Sequence, residues 1–151
     1  MELYEDPAFF RLLAESYASL LGRSLAPKGM SEQAAAKWLY EDASFGVLAH
    51  TPAADPVFMY GNKAVQKRFE YSWQELTRLP SRLSAEAPNR AERQRFLDRV
   101  RRDGYASGYR GVRVTKTGKR FLIEDATLWQ LIDEQGASCG QAVIIPKSTD
   151  I

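Results

Sequence analysis

The chain has 151 residues and a formal net charge of +2, with 44% hydrophobic and 26% charged residues, a composition typical of globular proteins. Its length predicts one domain plus an extension, the lone Cys139 excludes an intrachain disulfide, and no apolar run is long enough to span a bilayer. Residues 1–6 are acidic and lack the basic start of a secretory signal. We therefore expect a cytoplasmic protein without a membrane segment.

Arginines are concentrated between residues 90 and 102, where six of them occur. A basic helix can bind nucleic acid, so weak nucleic-acid binding through the helix Arg90–Arg102 is one hypothesis. The alternative is a solvated helix face with internal ion pairs, such as Asp98 with Arg102 at (i, i+4) spacing. We favour this alternative because residues 1–60 contain four Lys/Arg against eight Asp/Glu.

Two helices are predicted in residues 1–43. Asp6 and Pro7 have the residue types of a helix start, and Gly22 that of a helix end. This first helix has an apolar stripe, formed by Phe9, Leu13, Tyr17 and Leu20. A second helix follows Ser31. The stripe must pack on the following domain or on a second copy of the chain, so we predict an N-terminal helical extension and a homodimer.

Strands dominate the remainder of the chain. A hairpin is predicted at residues 45–60, followed by three helices and then by strands at 109–115, 120–133 and 139–145. The last strand ends at Pro146, which leaves 147–151 as a short tail, and is expected to be an exposed edge that also favours a homodimer. This order predicts an α+β fold in which helices pack over one face of a five-stranded antiparallel sheet.

The three central helices have recognisable starts. Asn62 is expected to cap the first, Ser72 and Glu75 have capping-box spacing for the second, and Asn89 is expected to cap the third, which Gly104 ends. A pocket between these helices and a curved sheet is a common place for small-ligand sites.

Residues 58–64 followed by 69–76 resemble PAS domains, with Glu70 where those domains usually have glycine. The stretch Leu79–Arg90 is more specific, because together with Gly104-Tyr105, 109–113, Arg120-Phe121 and 140–142 it is similar to the MEKHLA domain. That PAS-like family occurs in plant class III homeodomain–leucine zipper proteins and as small bacterial proteins. The resemblance implies that residues 44–146 form a non-enzymatic sensory or regulatory domain that binds a small ligand or a protein partner.

A flavin is the first cofactor to consider, since light-oxygen-voltage PAS domains bind one. The resemblance implies that Arg82 matches the arginine facing the flavin phosphate and that Gln141 matches a glutamine bonded to the ring. Four positions depart from that pattern: Ser81 replaces the reactive cysteine, Ala85 replaces a glutamine, and Arg113 and Ile123 replace asparagines. The serine hydroxyl is a much weaker nucleophile than a thiolate. The flavin is therefore weakly supported, and the cofactor remains unknown.

Other candidate site residues lie on the predicted strands. Tyr60, Phe121 and Trp129 are aromatic side chains that either fill the core or stack on a flat ligand. The odd positions from Phe121 to Leu131 are expected to share one largely apolar face of the strand. Asp125 falls on that face, where it either pairs with Arg113 or is a pocket acid.

His50 is the chain's single histidine, which disfavours haem and leaves no His/Cys cluster for zinc. We expect it to be a partly exposed side chain at a strand end. The alternative to a sensor is a small acid/base enzyme on a curved-sheet fold, using Asp125 and His50 together with Tyr60. We favour the non-enzymatic interpretation because no nucleophile elbow or nucleotide-binding loop is present.

Overall fold

The computed structural model describes the backbone of residues 1–151 and every side chain except those of Ala87, Pro88 and Asn89. The α-helices are α1 (Pro7–Leu21), α2 (Glu32–Glu41), α3 (Lys63–Phe69), α4 (Trp73–Leu76) and α5 (Ala87–Asp103), with 3-10 turns at Leu3–Glu5 and Ser81–Ser84. The strands are β1 (Gly46–His50), β2 (Phe58–Gly61), β3 (Tyr105–Val114), β4 (Arg120–Ile132), β5 (Ser138–Ile145) and β6 (Lys147–Asp150). None of the helices described is long and apolar enough to cross a membrane.

Local signals placed most helix ends correctly. The Asp6 carboxylate accepts the Ala8 N–H at 2.9 Å, and Gly22 ends α1 in the left-handed region at φ 67°. Ser72 and Glu75 form the predicted capping box. The predicted start of α5 was wrong, because the helix begins at Ala87 rather than after Asn89, whose side chain lies outside those described.

The strands described form one antiparallel sheet in the order β2-β1-β5-β4-β3, with β6 paired to β4. This confirms the predicted α+β fold class. The last long strand was predicted to be an exposed edge. This was wrong, because β5 lies between β1 and β4. The segment predicted as a tail also forms a strand, since Lys147–Asp150 pairs with Phe121–Glu124 of β4. Pro146 interrupts the ladder because it has no N–H to donate, but the chain stays extended beyond it.

Helices cover both faces of the sheet, rather than one. We call the side covered by α3 and α5 the cavity face, and the side covered by α1 and α2 the N-terminal face. On the N-terminal face, Ser16 Oγ accepts the Ile132 N–H at 3.0 Å, and the Tyr17 and Trp129 rings lie 4.8 Å apart. The stripe of α1 therefore packs on the chain's own sheet. With β5 also inside the sheet, neither feature that suggested a homodimer is left exposed.

Strand β4 changes faces at Asp125. Before it, Phe121 and Ile123 pack on the cavity face; after it, Trp129 and Leu131, although also odd-numbered, pack on the N-terminal face. Asp125 has a φ of 57°, and one left-handed residue in a strand breaks the two-residue alternation. The prediction that the odd positions from Phe121 to Leu131 share a face was therefore wrong.

Candidate functional site

A small cavity lies between the sheet and α5. Its volume is about 30 Å³, enough for one or a few waters. Most of its wall is apolar and includes Leu48, Phe96, Ile123, Leu128 and Val143. The polar part of the wall is formed by His50, Arg93, Tyr109, Arg113 and Gln141.

Two buried arginines dominate the polar part of the wall. Arg93 of α5 is 6% exposed and Arg113 of β3 is 7% exposed. Arg93 Nη2 donates to Ser81 Oγ, and Arg113 Nη1 donates to Ser84 Oγ at 2.5 Å. Ser84 Oγ in turn donates to the Ser81 carbonyl at 2.7 Å. The 3-10 turn Ser81–Ser84 therefore anchors both guanidinium groups through neutral oxygens.

The turn that carries these serines is itself fixed to the edge of the sheet. The Ser81 N–H donates to the Pro56 carbonyl at 2.8 Å, and the Phe58 N–H donates to the Leu79 carbonyl at 3.0 Å. Ser81 and Ser84 are both fully buried. Residues 79–84 are therefore fixed to the sheet edge, from which Ser81 and Ser84 hold the two arginines that line the cavity.

The cavity wall has an excess of positive charge. Burial, followed by the neighbouring charge of Arg113, lowers the pKa of Arg93 to about 10, where it is still protonated at neutral pH. Among the residues described, no carboxylate oxygen lies within 4.0 Å of Arg93 or Arg113. The Nε atoms of both arginines are buried without a described hydrogen-bond partner.

His50 lies at one end of the cavity and is partly buried, as predicted for a strand-end side chain. Burial is the main reason that its pKa is lowered to about 4; Arg93, Arg113 and Arg101 lower it further, while the hydrogen bond to Thr51 opposes the shift. Its Nδ1 lies 3.0 Å from the Thr51 carbonyl, so the neutral ring donates there and Nε2 is an acceptor. Nε2 is buried without a partner among the described groups.

Gln141 is a predicted site residue that lines the cavity. It lies on β5, and its Nε2 donates to the Leu97 carbonyl and to Gln130 Oε1, both at 3.3 Å. Its Oε1 has no described hydrogen-bond partner. The side chain links the central strand to α5 beside the two arginines.

Two of the predicted aromatic residues lie on the opposite side of the sheet. Tyr60 is 2% exposed and Trp129 is fully buried, both on the N-terminal face. The Tyr60 ring packs 5.4 Å from Phe9, and burial raises the pKa of its hydroxyl far above the usual range. These two side chains fill the core under α1.

The other three predicted residues are also outside the cavity wall. Phe121 is on the cavity face but packs edge-on against Phe69 at 4.9 Å. Arg82 is exposed and pairs with Asp55 at 3.2 Å. Asp125 is exposed at the bulge, and the predicted pair with Arg113 is absent from the ion pairs of the described residues.

The acid/base pair of the enzyme hypothesis is not assembled. His50 lies opposite Gln141, and Gln141 lies opposite Gln130. Asp125 is five residues further along β4, which is roughly 16 Å at about 3.3 Å per residue. The two side chains therefore cannot act on the same atom.

The grouping of Arg93 and Arg113 with Ser81 and Ser84 was not predicted from the sequence. Arg93 was counted among the basic residues of the helix, yet it precedes Leu97 and Val100 by four and seven positions on the same buried side. Arg113 likewise follows Tyr109 by four positions, so both point inward from β3. An arginine at an inward position of an apolar pattern was the available signal.

Four arginines of α5 remain on the surface: Arg95, Arg99, Arg101 and Arg102. Arg101 lies 3.9 Å from Asp98, and Arg102 pairs with Asp103 at 3.0 Å. The prediction that Asp98 pairs with Arg102 was therefore wrong, because Asp98 lies next to Arg101 instead. The exposed face of α5 is mixed in charge, as expected for a solvated helix.

The residues present do not fit a flavin. The cavity of about 30 Å³ is roughly a tenth of the smallest usual ligand pocket. Arg113 and Ile123 form its wall where asparagines would contact a flavin ring, and Arg82 points to the surface. No group of three or more His, Cys, Asp or Glu side chains suited to a metal occurs in the part of the chain described.

Comparisons with known proteins agree with this fold. The family model of the MEKHLA domain matches residues 7–149. The PAS domain of a protein from Colwellia psychrerythraea is similar with a TM-score of 0.62 and 15% identity, over 74% of this chain and 90% of that chain. A fungal light-oxygen-voltage photoreceptor domain gives a TM-score of 0.59 and 18% identity, over 92% of this chain and 89% of that chain. A search of curated proteins gave no match.

Proposed function

Because the chain belongs to the MEKHLA domain family, whose model matches residues 7–149, we propose that it is a regulatory sensor that binds a small molecule in the cavity between the sheet and α5. The domain does no chemistry of its own in this proposal. The observation that carries it is the group of hydrogen-bonding atoms without described partners at one apolar cavity, on Arg93, Arg113, His50 and Gln141.

The central strand offers a path by which such binding reaches the rest of the chain. On β5, Gln141 and Val143 line the cavity, Ile144 packs on the N-terminal face, and Ala142 contributes to both. A ligand that displaces β5 or α5 would therefore alter the packing of α1 and α2. This is a population shift between two packings of the same core.

The test is a thermal-shift screen of small metabolites on the purified chain, with native mass spectrometry of any compound that raises the melting temperature. A matched pair of variants locates the site. Val143→Phe fills the cavity and should abolish the shift, while Ile144→Phe, next to it on β5 but on the N-terminal face, should keep it. A ligand-induced shift that survives in Val143→Phe would contradict binding in the cavity, and a screen with no binder would contradict the sensor.

A further inference from the structure

Arg93 and Arg113 are two buried positive charges that have no carboxylate partner among the described residues. The chain has 19 Asp and Glu residues, and the ion pairs among described residues join side chains that are at least partly exposed. Arg93 and Arg113 are the most buried arginines described, yet they bond only to serine hydroxyls. Buried charges in proteins are usually paired with an opposite charge.

Nearby groups do not supply the missing negative charge. Asp55 is the one carboxylate whose charge raises the pKa of Arg93 among the described residues, but it is exposed and pairs with Arg82. The Tyr109 ring lies 6.0 Å from the Arg113 guanidinium, at the limit of a cation–π contact. His50 is neutral, because burial, and after it the charges of both arginines, hold its pKa low.

A purely structural role explains these arginines poorly. Anchoring the turn Ser81–Ser84 needs hydrogen-bond donors, which an uncharged amide would supply without desolvating a cation. Two cations on one cavity wall also repel each other. An anion bound beside both guanidinium groups would offset these costs.

The two buried Nε–H groups suit a carboxylate. Each arginine uses one Nη to bond to serine and has an Nε donor without a described partner. A carboxylate has two oxygens that accept such planar donors in pairs. The apolar part of the wall includes Leu48, Phe96, Ile123 and Val143, which would contact an alkyl group and offer nothing to a bare inorganic ion.

We propose that the cavity binds a short-chain organic carboxylate, with its charge between Arg93 and Arg113 and its alkyl group against the apolar wall. This proposal rests on the proposed function of the cavity as a ligand site and specifies the ligand class. The volume of about 30 Å³ holds one or a few waters, so α5 must move outward for even a short-chain acid to enter.

The deciding experiment is an NMR titration of the full chain at constant ionic strength, following arginine Nε–H resonances. The probes are sodium butyrate, its neutral isostere butyramide, and sodium chloride. Butyrate should shift two buried Nε–H signals and saturate, while butyramide and chloride should not. Binding of butyrate should weaken about ten- to hundredfold in Arg93→Met and Arg113→Met, and stay unchanged in Arg95→Met, an exposed arginine of the same helix.

Each other outcome overturns this inference without deciding the proposed function. Equal binding of butyramide would mean a neutral ligand in the same cavity. Equal saturation by chloride would mean an inorganic anion. No response to butyrate would assign the arginines a structural role, and the metabolite screen would still test the sensor. The comparison of probes on the natural chain stands even where an arginine variant fails to fold.

Discussion

At the scale of single residues, His50 has the environment with the clearest measurable consequence. Burial is the main reason that the pKa of its imidazole is lowered to about 4 from an ordinary 6.5, and the positive charges of Arg93, Arg113 and Arg101 lower it further. Arg93, whose pKa is about 10, stays protonated throughout the acid range, so its charge does not change while the histidine titrates. The native state therefore resists protonation that the unfolded chain accepts.

This predicts a loss of stability between pH 6.5 and about 4. Within that window the unfolded state binds a proton that the native state does not, so the free energy of unfolding falls as pH falls. The full contribution is at most roughly 3 kcal/mol. In His50→Asn, whose amide can replace the bond from Nδ1 to Thr51, the loss should be smaller. Urea denaturation of both proteins at pH 7 and pH 4.5 measures it, and parallel pH profiles would contradict the assignment.

Hydrogen bonds between residues close together in sequence could be predicted. The cap at Asn62 was predicted from sequence, and its Oδ1 accepts the Val65 N–H at 3.2 Å. The same side chain is fully buried and donates to the Leu39 and Phe45 carbonyls at 3.0 Å. Those bonds join segments far apart in sequence, so no local pattern indicates them. The bonds from Arg93 and Arg113 to the 3-10 turn were unpredictable for the same reason.

At the scale of elements, the bulge at Asp125 decides which residues can form the site. Strict alternation along β4 would place Phe121 and Trp129 on one surface, as predicted from the sequence. The left-handed residue, with φ 57°, instead divides them between the two faces. The alternation was visible in the sequence, but the bulge was not, because an aspartate occurs in regular strands as well.

This predicts opposite effects for two substitutions at one exposed position. Asp125→Gly relieves the left-handed strain and should leave stability unchanged or raise it by up to about 1 kcal/mol. Asp125→Val adds a β-branched side chain at positive φ and should cost about 1–2 kcal/mol, despite the high strand propensity of valine. Thermal unfolding of the two variants beside the natural chain measures the order. A valine variant as stable as the glycine variant would mean that β4 is regular.

At the scale of the whole molecule, the sheet is the shared wall of two cores. Tyr60, Trp129 and Leu131 face α1 and α2, while Leu48, Leu97 and Leu128 face the cavity side. The family match from residue 7 also includes α1. The elements and their order were predicted from the sequence. Residues 1–43 were predicted to be an extension, and their packing on the sheet was not specified, because an amphipathic stripe does not indicate which surface it covers.

The resulting prediction is that α1 stabilises the entire fold rather than a separate unit. Leu13 is 1% exposed and packs in the core of the N-terminal face, so Leu13→Ala should lower the free energy of unfolding by about 2–5 kcal/mol. Leu12→Ala, one position round the helix and only partly buried, should cost less. Denaturation followed by far-ultraviolet circular dichroism and by tryptophan fluorescence should give coincident transitions in both variants. If α1 were an independent extension, Leu13→Ala would separate an early loss of helix from an unchanged unfolding of the sheet.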